Sequence, residues 1–111
     1  MGISTHVLDT SAGRPAIGVP VTLERRSDAG SWRPVAEATT DDDGRAADLI
    51  DATEVSAGLY RLVFDVAGYA EMEDRPFFPS ITLTFRVADP AEHYHVPLLL
   101  SPFGYTTYRG S

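Results

Sequence analysis

Short runs rich in Val, Ile, Leu, Thr, Tyr and Phe recur along the chain, separated by clusters of Gly, Pro, Asp and Ser. Within several runs, apolar and polar positions alternate with period two, as in strands buried on one face. Val19, Val21 and Leu23 fall on one side of such a run. In another, Tyr60, Leu62, Phe64 and Val66 form an apolar set opposite Leu59, Arg61, Val63 and Asp65. The pattern predicts strands over residues 3–9, 19–26, 32–39, 45–49, 58–66, 81–88, 94–101 and 104–109. About eight short strands at this spacing predict an all-β fold, a sandwich or barrel. Two segments read as short helical turns instead: 51–57, and 68–74 (GYAEMED), which Arg75-Pro76 would stop.

Pro20, Pro34 and Pro97 each remove a ladder donor, so they belong at strand starts, edges or bulges. No internal repeat, low-complexity tract or linker interrupts the pattern, and the 111 residues read as one domain from end to end.

Composition narrows the chemistry. The chain has no Cys, Lys, Asn or Gln, and all nine basic side chains are Arg. That removes thiolate nucleophiles, disulfides, cysteine metal sites, Schiff bases and P-loop lysines. A net charge of −7 opposes general binding to nucleic acid or to an anionic membrane. It leaves room for a small anionic substrate held by one Arg. No run approaches the ~20 apolar residues of a membrane-spanning helix. The opening MGISTHVLD lacks a basic segment followed by an apolar one, so a cytoplasmic location is expected.

Three features carry candidate chemistry. Asp41-Asp42-Asp43-Gly44 invites a calcium-loop reading, but placing Gly44 sixth in an EF-hand loop puts Ile50 where the bidentate Glu belongs. A β-turn is the expectation. His93 and His95, two residues apart, share one face of a strand, and with His6 they would be the only imidazoles able to hold a metal or do acid–base work. No Gly-x-Ser-x-Gly elbow occurs, and a triad built on Ser4 or Ser101 stays open. Alternation sends His6 and Leu8 away from the core side formed by Ile3, Thr5 and Val7. It likewise sends His95 and Pro97 away from Val96 and Leu98.

Four segments taken together resemble one family: Ser4-Thr5-His6-Val7-Leu8-Asp9, Asp43-Gly44-Arg45, the run from His93 to Pro102, and Tyr108-Arg109-Gly110-Ser111. The chain resembles the transthyretin-like 5-hydroxyisourate hydrolases of urate breakdown over its whole length, and Phe77-Phe78-Pro79 adds to the likeness. The resemblance implies a two-sheet antiparallel sandwich with one short helix, assembled as a homotetramer, a dimer of dimers. Active sites would lie where dimers meet, in a pocket expected to need more than one protomer. It implies catalytic roles for His6, Arg45 and His95, and substrate contacts from His6, Arg45, Tyr108 and Ser111, with no cofactor and no metal. His93 belongs to the motif without an assigned role. Transthyretin, the hormone carrier of the same fold, lacks the histidine pair and the Tyr-Arg-Gly-Ser ending, so a small-ligand carrier is the alternative.

The implied reaction opens the cyclic amide of 5-hydroxyisourate to its ureidoimidazoline product. Water must lose a proton, a developing oxyanion must be stabilised and the departing nitrogen must be protonated. Imidazoles suit the proton transfers at neutral pH, and His6 or His95 could activate water without a covalent intermediate. Arg45 supplies a permanent fork of donors for the oxyanion. Tyr108 and Ser111 add hydroxyls, and the Ser111 carboxylate could orient a histidine.

Overall fold

The computed structural model describes residues 2–69 and 76–111. Among these residues, nine strands form two sheets: β1 (Ile3–Asp9), β2 (Arg14–Pro15), β3 (Pro20–Arg26), β4 (Trp32–Thr39), β5 (Arg45–Ile50), β6 (Gly58–Asp65), β7 (Ser80–Val87), β8 (Tyr94–Leu100) and β9 (Tyr105–Thr107). One sheet runs β2-β1-β8-β9, with β5 sharing the β1 edge with β2; the other runs β4-β3-β6-β7. All pairings are antiparallel except β1 with β8, which run parallel. The expected all-β sandwich is therefore present, with the two-residue β2 as an addition too short for a periodic signal.

The core lies between the sheets. Ile3, Val7 and Leu98 from one sheet meet Leu23, Tyr60, Leu62 and Phe64 from the other, all fully buried. Each large apolar side chain so buried contributes about 1.5–3 kcal/mol. The apolar alternation of residues 60–66 is borne out, with all four even-numbered side chains inside. Thr5 is also fully buried, and its hydroxyl donates to the Val96 carbonyl at 2.6 Å, which offsets the cost of a polar group in the core.

Turn chemistry sets the connections. Asp41 closes the β4–β5 turn: its carboxylate accepts from the N–H groups of Asp43 (2.9 Å) and Arg45 (3.0 Å), and Gly44 takes φ +76°. Those backbone N–H bonds are the main reason the Asp41 carboxyl titrates below its usual range. A Cβ on Gly44 would stand 2.5 Å from the Val7 carbonyl oxygen. The Asp-Gly segment is thus a turn, as expected. The helical expectation for 51–57 reduces to one 3-10 turn, Ala52–Glu54, capped by Asp51. That for 68–74 lies, beyond Gly68 and Tyr69, outside the described residues.

The three prolines sit where a missing N–H is tolerated. Pro20 opens β3, and Pro34 lies on edge strand β4 beside a register shift. The β8–β9 register continues to an isolated bridge between His95 and Gly110, which places Pro97 opposite Tyr108. The Pro97 carbonyl accepts from the Thr107 hydroxyl at 2.8 Å, but Pro97 has no donor to return. Tyr108 and Arg109 accordingly fall outside the paired strand. No helix among the described residues is long and apolar enough to cross a membrane.

Candidate active site

Parallel pairing of β1 with β8 sets Ser4 beside His95 and His6 beside Pro97, while antiparallel pairing with β5 sets His6 beside Arg45. The side chains of Ser4, His6, Arg45 and His95 therefore leave the same outward face of the sheet, as alternation requires. Ser4, Arg45, His93, His95 and Ser111 line one cavity of about 370 Å³. A pocket was expected to need a second protomer, yet one chain already forms this concavity.

Each group is held by its own element. His6 is half-buried, and its Nε2 donates to the Asp43 carbonyl oxygen at 2.8 Å, tying β1 to the Asp41–Gly44 turn. The same turn clamps the Arg45 backbone, whose N–H and C=O both bond to Asp41. His95 is fixed on both sides. Its Nδ1 lies 2.8 Å from Ser4 Oγ, and its carbonyl accepts from the Gly110 N–H at 2.8 Å. Arg109 braces the tail by stacking its guanidinium over Tyr94, 4.5 Å from the ring centroid, and by pairing with Glu92.

Burial, followed by the nearness of the basic side chains of His6, His93 and Arg45, holds the His95 imidazole below its usual pKa of 6.5. His95 is therefore neutral at neutral pH, the state required of a base or an uncharged N–H donor.

Of the expected site residues, Arg45, His95 and Ser111 line the cavity, and His6 lies beside Arg45 on the neighbouring strand without lining it. Tyr108 does not join them in one chain: it is exposed and lines a second cavity of about 200 Å³ with Tyr94, Val96 and Arg86. Two participants had no role implied by the resemblance. Ser4 Oγ lies 3.1 Å from His93 Nε2 as well as 2.8 Å from His95 Nδ1, and the two rings stack 6.4 Å apart. One nitrogen of each ring is thus taken up by the Ser4 hydroxyl. Among the described residues, no group of three or more His, Cys, Asp or Glu is arranged to hold a metal ion. The Ser4 signal in the sequence was its place on the His6 face of β1; its partners depend on the β1–β8 register, which alternation does not reveal.

Comparison with known proteins identifies the family. Residues 3–110 match the family model described as HIUase/Transthyretin family. The chain is 48% identical to a 5-hydroxyisourate hydrolase from Deinococcus radiodurans, covering 99% of this chain and 96% of that protein. Among solved structures, sea bream transthyretin in complex with thyroxine superposes with a TM-score of 0.92 at 33% identity, covering 99% of this chain and 95% of that one. The Klebsiella pneumoniae 5-hydroxyisourate hydrolase superposes with a TM-score of 0.83 at 34% identity, each chain fully covered. Carrier and enzyme thus share one backbone, and fold alone does not separate them. By sequence match across nearly its full length, the chain belongs to the HIUase/Transthyretin family.

Proposed function

We propose that the protein hydrolyses 5-hydroxyisourate, opening its cyclic amide by attack of an activated water. The observation that carries this reading is the convergence of His95, Arg45 and Ser111 on one cavity, with His6 directly across from Arg45. Water loses its proton to an imidazole, the hydroxide adds to the ring carbonyl, and the Arg45 guanidinium faces the oxyanion that forms. Collapse breaks the C–N bond as the imidazolium returns its proton to the departing nitrogen, so one water is consumed. Ser111 supplies a hydroxyl for the substrate's polar edge. No step calls for a metal or a cofactor.

A homotetramer, with its cavities where dimers meet, is part of the proposal. Tyr108 lies apart from the cavity of its own chain, which suits a contribution to a neighbouring protomer's site. A cytoplasmic location is the accompanying expectation, checked by fractionation. Light scattering reports the assembly.

The deciding experiment generates 5-hydroxyisourate in situ with urate oxidase and follows its absorbance. Accelerated decay on adding the protein supports the reading. Decay at the spontaneous rate, with tight binding of a thyroxine-like ligand, would make the protein a carrier of the transthyretin type instead.

A further inference from the structure

Ser4 has one hydroxyl proton and faces two imidazole nitrogens, His95 Nδ1 at 2.8 Å and His93 Nε2 at 3.1 Å. These two nitrogens are its only hydrogen-bond partners among the described residues, so its proton goes to one of them and the other must itself donate to Ser4 Oγ. The second nitrogen of His93 decides which. His93 Nδ1 is buried with no hydrogen-bond partner. Were Ser4 to donate to His93 Nε2, the His93 proton would sit on Nδ1, leaving a buried N–H with no acceptor. If His93 donates from Nε2, only a lone pair goes unpaired, and buried orphan donors are rarer than under-used acceptors. The chain of donors therefore runs from His93 Nε2–H to Ser4 Oγ, and from Ser4 O–H to His95 Nδ1. His95, neutral at neutral pH, is left with its proton on Nε2.

His6 is set by simpler means. Its Nε2 faces a carbonyl oxygen, which only accepts, so the neutral ring keeps its proton there and its lone pair on Nδ1.

We propose that Ser4, backed by His93, is a positioning residue that holds His95 in the Nε2–H tautomer, so that His95 serves as an N–H donor to the oxyanion and His6 as the base. This rests on the hydrolase reading and divides its two imidazole roles. His6 Nδ1 takes a proton from water as the C–O bond forms. The oxyanion is met by Arg45 and by His95 Nε2–H, with no net proton transfer from His95. His6 then returns its proton to nitrogen as the C–N bond breaks.

The test is long-range ¹H–¹⁵N NMR of the imidazoles in the full-length protein without substrate, alongside turnover of 5-hydroxyisourate. Wild type is expected to show His95 protonated on Nε2 and unprotonated on Nδ1. Ser4→Ala should give a mixture of tautomers and lower kcat roughly 10–100-fold, as loss of an orienting partner does, with KM within a few-fold. Ser4→Thr, which keeps the hydroxyl, should restore both. His95 protonated on Nδ1 in wild type, an unchanged His95 tautomer in Ser4→Ala, or an acyl adduct on Ser4 in quenched reactions would each overturn the assignment. Should wild type fail to turn over 5-hydroxyisourate, the hydrolase reading falls, whereas the resting tautomer is still read from the spectrum.

Discussion

Gly110 lies directly against His95: its N–H donates to the His95 carbonyl at 2.8 Å, and a Cβ placed on it would stand 2.5 Å from His95 Cδ2. The tail therefore seats the imidazole from one side while Ser4 holds it from the other. Absence of a side chain at position 110 is part of the site's geometry, because any Cβ would push the ring off its present line. Gly110→Ala is expected to lower kcat/KM by about 10–100-fold, the order seen when a catalytic group shifts by an ångström. Its melting temperature should stay close to wild type, since residue 110 belongs to no continuous strand. An unchanged rate would show that the ring position does not govern the chemistry.

The state of His95 sets an acid limit. Burial first, then the nearby basic side chains of His6, His93 and Arg45, keep its pKa below 6.5, and Ser111 also lines its cavity. If neutral His95 is the active form, the loss of kcat/KM that its own protonation causes should set in only below pH 6.5. The linked effect on folding has a defined sign. Below 6.5 the unfolded chain takes up a proton that folded His95 refuses, so His95 makes stability fall as pH drops toward its folded pKa and has no effect above 6.5. An NMR titration of His95 with a midpoint at or above 6.5 would contradict both expectations.

Asp9 offers a stability test away from the cavity. It is buried at the end of β1 and accepts from the Ser11 hydroxyl (2.8 Å), the Ser11 and Ala12 N–H groups (3.1 and 3.0 Å) and the Tyr69 hydroxyl (3.0 Å). Burial alone would raise its pKa, but these hydrogen bonds together outweigh that and lower it. Asp9 therefore contributes stability that is complete above its unfolded pKa near 3.8 and is lost as pH falls through the lower folded value. Asp9→Ala orphans several of these donors and should destabilise the fold by about 1–3 kcal/mol. Urea denaturation at neutral pH measures it, and a loss within experimental error would mean that the network is replaced by water.

Strand positions and the outward direction of both site histidines follow from period-two alternation, because each strand has one buried face and a register slip would expose it. Alternation carries no information about which strands are neighbours. The parallel β1–β8 pair, which brings Ser4 to His95, is set by packing between segments some ninety residues apart, |i−j| = 91 for that bond. The seat of Tyr108 was equally hidden. It depends on Pro97 interrupting the ladder across from it, a relation between two strands rather than a property of either. Family resemblance supplied His6, Arg45, His95 and Ser111 as a group, while the bridging hydroxyl and the glycine seat emerged only from coordinates.

Arg45 permits a separation of field from geometry. Its backbone is clamped by Asp41, so substitutions there change the side chain while the turn keeps its hydrogen bonds. Arg45→Lys retains the positive charge but loses the planar fork that meets an oxyanion with two parallel donors. Arg45→Met removes charge and donors together. If the guanidinium works through paired donors, both variants should lose about 100-fold or more in kcat/KM, the scale of removing an oxyanion donor. Only Arg45→Met should also move the His95 pKa up toward 6.5, because only it deletes one of the charges that depress that pKa. Burial, the largest cause, remains in both variants, so the rise should stop short of the ordinary value. A Lys variant with near-wild-type rates would mean that charge alone suffices. A Met variant with an unmoved His95 titration would mean that the guanidinium lies too far from the imidazole to act on it.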